Sequence, residues 1–312
     1  MSASSDDALP RRAVLVGALL VLTFLAAAIS ILVGRDGGGP TLGFGGPELA
    51  EVILTEIRVP RTLLALIVGG TLGLTGAALG AVIVFYFGLA TATSLLLPLG
   101  AVMGSLLALA VLYALAGRRG DLLTIVLAGI AINALAAALT SLALNFAPSP
   151  YAALEILFWM LGSLADRSLA HVYLALPLMV PGWLLVIAAA RGLDALTLGE
   201  ETAQSLGFDP RRTQWLVIGG TALAVGGAVA VTGVVGFVGL VVPHLLRRAA
   251  GQHPSRLLLP SFLGGALLVT LADLGVRLMP PGPELKLGVV TALVGAPFFL
   301  HLVMRPRAEL AA

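Results

Sequence analysis

Few side chains in this sequence are of types that do chemistry, and their spacing narrows what that chemistry is. Asp273 precedes Arg277 by four residues, which puts both on one face of a helix and lets them pair. They stand in an apolar run, where an ionisable group marks a functional position by default. An internal ion pair and a proton or ion relay are both open for them. The four histidines are dispersed with no second ligand at i+3 or i+4, and cysteine is absent. Neither a thiolate metal site nor a disulfide framework is therefore expected. No His-Glu-x-x-His and no Gly-x-Ser-x-Gly occurs, so a hydrolase lacks its constellation. The glycine-rich stretch Asp36 to Pro47 is not a phosphate loop, because no Gly-Lys-Ser/Thr follows and the sole lysine is Lys286. It reads as flexible or turn-forming. No catalytic residue, cofactor or metal is expected in this chain.

Two other segments stand out by type and spacing. The longest polar interruption runs from Arg191 to Arg212. Within it Thr197 is placed to cap a short helix whose first turn holds Glu200 and Glu201, favourable against the helix dipole. Gly207 stands where a C-terminal glycine belongs, and Asp209-Pro210 marks the exit. Such an element is an ordinary loop or a docking surface for a partner. The second segment is Gly226 to Arg248, in which Gly233, Gly236 and Gly239 are spaced for close backbone approach ahead of Pro243-His244. Those glycines either pack helices or line a path between them.

The elements that carry these residues follow from composition. Of 312 residues 59% are hydrophobic and only 11% charged, with a mean hydropathy of +1.04. A soluble domain carries about 25% charged residues, so the solvent for most of this chain is lipid. A soluble enzyme, a disordered regulator and a nucleic-acid binder are excluded. The net charge is +2, and the arginines lie between apolar runs rather than on one face. The runs are long and apolar all round, unlike barrel strands. The chain is expected to be all-α and polytopic, a single transmembrane domain over 1–312 with a cytoplasmic segment at 191–212.

Spans are predicted at Ala13–Val33, Leu63–Gly88, Ser94–Ala116, Leu122–Phe146, His171–Ala190, Gln214–Val235, Leu257–Met279 and Leu287–Met304, with a shorter run at Gly236–Leu246. The first is too long for a signal peptide and reads as a retained helix. Ala152–Leu164 is too short to cross and, with Trp159 inside it, reads as interfacial. With the N-terminus inside and an even number of crossings, twelve basic residues fall inside and six outside. The stretch from Arg61 to Gly88 is short for the two crossings this needs, about 40 residues. It is either a re-entrant pair broken at its glycines or one tilted helix with the first span reversed, and the charge rule fits both.

The pattern resembles the FecCD-type permease subunits of binding-protein-dependent ABC importers for iron–siderophore, haem and cobalamin. Arg58-Val-Pro-Arg61-Thr-Leu looks like the family's opening motif, and Leu198-Gly-Glu-Glu-Thr-Ala-Gln-Ser-Leu-Gly207 is similar to its coupling segment. Gly236-Phe-Val-Gly-Leu-Val-Val-Pro-His244, Leu271-Ala-Asp-Leu-Gly-Val-Arg277 and Gly288-Val-Val-Thr-Ala-Leu-Val-Gly-Ala-Pro-Phe298 follow in the family's order. The resemblance covers nearly the whole chain. It departs after the glycine-rich span, where Leu74-Thr-Gly-Ala77 runs almost directly into Gly80-Ala-Val-Ile-Val84 and about twenty residues of the pattern have no counterpart.

The resemblance implies a type II importer fold with about ten transmembrane helices, the second and third shortened here. It implies a multi-pass protein of the inner membrane, a homodimer around a central path, that hydrolyses nothing itself. Two cytoplasmic ATPase subunits would dock on Leu198, Gly199, Glu200, Glu201, Ala203, Gln204, Leu206 and Gly207. Arg58, Arg61 and Arg277 would meet carboxylates of a periplasmic or lipid-anchored binding protein. Gly233, Gly236, Phe237, Gly239 and Pro243 would line the translocation path. An ion-coupled secondary transporter with Asp273 as its coupling carboxylate, and a non-transporting membrane scaffold, are the competing readings.

Overall fold

The computed structural model describes residues 8–36, 39–42, 58–63, 65, 104, 107, 110–111, 114, 122–250, 253–279 and 285–304. They are helical apart from short connections and one hairpin. The helices are α1 (Ala8–Leu32), α2 (Leu122–Asn145), α3 (Pro150–Met160), α4 (Leu169–Leu196), α5 (Glu200–Ser205), α6 (Pro210–Thr232), α7 (Val238–Ala250), α8 (Pro254–Arg277) and α9 (Leu287–Met304). Within α1, α4, α6 and α8, the stretches Ala13–Leu32, Leu169–Leu196, Pro210–Thr232 and Pro254–Arg277 are long and apolar enough to cross a bilayer. The predicted spans Leu63–Gly88 and Ser94–Ala116, and with them the shortened 61–88 stretch, lie almost wholly outside the described residues.

Residues 36–47 were expected to be irregular, and part of that stretch is regular. β1 (Val33–Asp36) continues directly from α1 and pairs antiparallel with β2 (Gly39–Leu42), Val33 opposite Leu42 and Asp36 opposite Gly39. Gly37-Gly38 between them in sequence is a composition that two-residue hairpins select.

The chain forms two compact units interleaved in sequence. The first comprises 1–76, 161–169 and 235–312. Here α8 lies against both α1 and α7, and α9 packs on α7 and α8. Midway along the α1–α8 contact Thr23 Oγ1 donates to Leu263 O (3.4 Å). A side chain on Gly264 of α8 would stand 2.8 Å from Val242 and Leu246 of α7. The missing Cβ is what lets these helices meet.

The second unit comprises 77–160 and 170–234. Its spine is the pair α4 and α6, in contact along their length through small residues. A Cβ on Gly182 would lie 2.6 Å from Gly220 O, and one on Gly220 would lie 2.7 Å from Gly182 O. Gly192 faces Thr213, and Gly227 faces Met179 and Leu178. α4 carries Pro177 and Pro181 in its interior, so the carbonyls of Tyr173 and Pro177 lose their helical donors. Trp159, in the segment expected at the lipid–water boundary, is a core residue of this unit. It is 8% exposed and packs with Ile156 of α3 against Val225, Val229 and Ala230 of α6. The aromatics on α3 that do face outward are Tyr151 and Phe158.

Candidate functional site

Three groups of residues were singled out from sequence, and each has a defined geometry. The polar interval 191–212 forms a hairpin tip between α4 and α6. Thr197 does not cap the short helix: its Oγ1 donates to Asp194 O (2.7 Å) and closes the end of α4 instead. The N-cap of α5 is Gly199, at φ 100°, with no side-chain capping bond. At the other end Gly207 takes φ 84° and its N–H donates to Gln204 O (2.9 Å), while Phe208 N–H donates to Ala203 O (2.9 Å). These are the two bonds of a Schellman stop, the role expected of Gly207. Asp209 then caps α6 by accepting from Arg211 N–H (2.9 Å), with Pro210 in the first turn.

This architecture holds α5 rigidly by both ends and shows most of it outward. Ala203 is fully buried, whereas Leu198 and Leu206 are 62% and 57% exposed and Glu200, Glu201 and Gln204 are also exposed. Two exposed leucines thus flank an acidic turn in a segment too polar for lipid.

The second group is the charged cluster. Asp273 and Arg277 pair as their spacing predicts, Arg277 Nη2 to Asp273 Oδ2 at 2.8 Å. Arg61 joins them: its Nη2 is 2.9 Å from Asp273 Oδ1, and its Nε donates to both carboxylate oxygens (3.0 and 3.2 Å). Arg277 Nη1 donates to Ser30 O (2.7 Å) and Val33 O (2.9 Å), and its Nη2 also meets Ser30 Oγ. Arg58 Nη1 donates to Ile31 O (3.2 Å) and Leu32 O (3.0 Å). Two guanidinium groups thus take up the carbonyls at the C-terminal end of α1, which an α-helix leaves without internal donors. Positive charge there also opposes the negative end of the helix dipole.

Arg277 is 2% exposed and Arg58 6%, and the Arg61 side chain is 12% exposed. In this structure the three arginines, the residues expected to meet a binding protein, tie α8 and the 58–63 turn to α1. The same contacts weigh against Asp273 as an ion-coupling carboxylate. Both of its oxygens are held by arginines, and two adjacent positive charges repel an incoming cation. Ser30 and Thr62, hydroxyl to hydroxyl at 2.9 Å, complete the cluster. Ser30 carries no sequence signal beyond being polar in an apolar run, whereas Thr62 belongs to the Arg58–Leu63 motif.

The third group is the proposed path. Gly233 ends α6 at φ 71°. Gly236 does not serve close packing: a Cβ there would meet nothing within 4 Å. Phe237 precedes α7 at φ 66°, while Gly239 and Pro243 lie inside that helix. Gly236 and Phe237 border an apolar cavity of about 220 Å³ in the first unit, walled by Leu271 and Ala272 of α8 and Thr291 and Gly295 of α9. The α9 residues lie in the Gly288–Phe298 stretch, whose small residues were the available signal. Away from these groups, burial lowers the Arg167 guanidinium from its ordinary value against the opposing pull of Asp166. Among the described residues no group of three or more His, Asp or Glu is placed to hold a metal ion.

Comparison with known proteins covers most of the chain. A family profile described as the FecCD transport family matches residues 74–305. The hemin transport system permease of Yersinia pestis is 36% identical over 283 residues, covering 82% of this chain and 84% of that protein. The vitamin B12 import system permease of Vibrio cholerae is 36% identical over 312 residues, covering 92% and 93%. The Fe(3+) dicitrate permease of Escherichia coli is 35% identical over 277 residues, covering 82% and 86%. A solved structure, described as an inward-facing conformation of a metal-chelate type ABC transporter, superposes with a TM-score of 0.79 at 26% identity. It covers 95% of this chain and 100% of that one. The alignment to the hemin permease is longer than the stretch of this chain it takes up, so some of that protein's positions have no counterpart here.

Proposed function

The chain belongs to the FecCD transport family, the multi-pass membrane permeases of ABC importers, and on that premise we propose its cargo, its assembly and its coupling surface. Permeases of this family are not catalytic themselves and work with an ATPase and a binding protein. The cargo we assign is a metal chelate of the iron–siderophore, haem or cobalamin type. Support comes from relatives named for haem, vitamin B12 and ferric dicitrate, and from a structural neighbour of metal-chelate type. The assembly is a homodimer around a central path, with one ATPase subunit seated on each copy.

The observation that carries the coupling role is α5. It is fixed by Gly199, by the Schellman stop at Gly207 and by the Asp209 cap of α6, and it exposes Leu198, Glu200, Glu201, Gln204 and Leu206. A partner that binds this surface differently in its ATP-bound and ATP-free forms shifts the permease between two states. α4 and α6, locked together at Gly182 and Gly220, pass that shift onward as a pair.

Its test is the Glu200→Ala/Leu206→Ala double variant, purified with the ATPase that co-elutes with the tagged wild-type chain and reconstituted in vesicles. Both side chains are exposed, so folding is expected to be unchanged. ATP hydrolysis is expected to continue while uptake of haem or cobalamin falls at least tenfold. Coupled uptake at the wild-type rate overturns the docking role.

A further inference from the structure

The geometry points to Phe237 as the movable closure of the apolar cavity between α7, α8 and α9: its ring, seated on Gly295, narrows the cavity, and swinging the Gly236–Phe237 backbone withdraws it. Three independent features support this reading.

The first is depth. α7 has 13 residues, about 20 Å of helix, against a hydrocarbon layer of about 30 Å. Its start lies beside Leu271 and Gly295, about 9 Å of helix short of Arg277 and about 12 Å short of Leu287. The chain therefore begins this helix inside the membrane. Non-helical backbone at that depth is found where it is buried in protein or lines a cavity, and Gly236 and Phe237 line one.

The second is strain. Val238 N–H donates to Gly236 O (2.9 Å) across Phe237, which sits at φ 66°. A three-residue turn with its central residue at positive φ is the rare, strained form, and a bulky side chain there is a marked outlier. Strain of this kind persists only when the surroundings impose it. The preceding Gly236 has open space around the position of its missing Cβ, so the turn has room to swing.

The third is the seat. A Cβ on Gly295 would overlap Phe237 Cβ and Cγ and stand 2.9 Å from Cδ1. The absent side chain of Gly295 is the space the phenylalanine occupies. Across the cavity, α8 does not yield. Leu271 and Ala272 form the wall, and Asp273, the next residue, is fastened to Arg61 and Arg277. One wall is pinned by charge, whereas on the other side a strained turn is kept in place by the seat of its ring on Gly295.

The inference rests on the permease reading only for what passes the closure, so its test uses neither cargo nor ATP. The chain has no cysteine, and Thr291→Cys places one buried thiol on the cavity wall. Its labelling by a charged, membrane-impermeant thiosulfonate is expected to be slow in the wild-type background. Labelling is expected to rise at least tenfold in both Phe237→Ala and Gly295→Ala, the latter because the new methyl evicts the ring. Val225→Cys, in the core of the other unit, must stay unlabelled in every background, which separates local opening from unfolding. If Gly295→Ala does not fold, Phe237→Ala decides alone. Equal labelling of Thr291→Cys with and without the ring overturns the proposal. The expected labelling together with no cargo uptake by the wild-type chain in the reconstitution described above counts against the permease reading and leaves the closure standing.

Discussion

Asp273 Oδ1 lies 2.9 Å from Arg61 Nη2 although 212 residues separate the two in sequence. The carboxylate is shared with Arg277 and is almost completely buried. Removing the carboxylate leaves two guanidinium groups without their counter-charge in a medium that solvates them poorly. Asp273→Asn is therefore expected to destabilise the protein by about 3–5 kcal/mol, read as a lowered unfolding midpoint in detergent. Adding Arg61→Gln to that variant should cost much less than the sum of the two single changes, because the interaction is already lost. Strict additivity would show that the pair is not coupled.

The α4–α6 contact makes a sharper prediction because neighbouring glycines differ in their surroundings. Gly220 has Gly182 O 2.7 Å from its would-be Cβ, whereas Gly219 has nothing within 4 Å. Gly220→Ala is expected to cost about 1–3 kcal/mol through overpacking. Gly219→Ala is expected to stabilise by about 0.5–1 kcal/mol, since alanine is the better helix former. Differential scanning of the two variants side by side checks both signs.

Trp159 provides a third check. At an interface its indole would be replaceable at small cost. Packed at 8% exposure against Val225, Val229 and Ala230, it should cost about 3–5 kcal/mol when cut back to alanine. Its fluorescence should also resist quenching by acrylamide until the protein unfolds.

How much of this was legible in the sequence depends on whether the signal is local. The span Leu287–Met304 was read to the residue, and Leu122–Asn145 to within one, because apolar length and flanking polar residues are properties of the chain itself. Gly207 and Asp209-Pro210 were readable for the same reason: cap chemistry acts within a turn. Thr197 misled, since a threonine before an acidic turn has the composition of a cap while its hydroxyl reaches back to Asp194. Nothing near Arg61 in sequence announces Asp273, which lies 212 residues away. The packing of Trp159 was not legible either, because its partners Val225, Val229 and Ala230 lie far along the chain. The glycines divide along the same line: Gly236, chosen for spacing, packs on nothing, and Gly295 is explained only by the phenylalanine above it.

The two prolines of α4 have a mechanical consequence. Pro177 and Pro181 stand one turn apart, so two successive backbone bonds are missing on the same side of the helix. From Gly182 to Gly192 the helix is clamped to α6 with no room to slide. Between Tyr173 and Pro181 the backbone bonds that would stiffen the helix are missing, and the close packing of Ala175, Leu178 and Met179 on Gly227 of α6 supplies that stiffness from outside the helix instead.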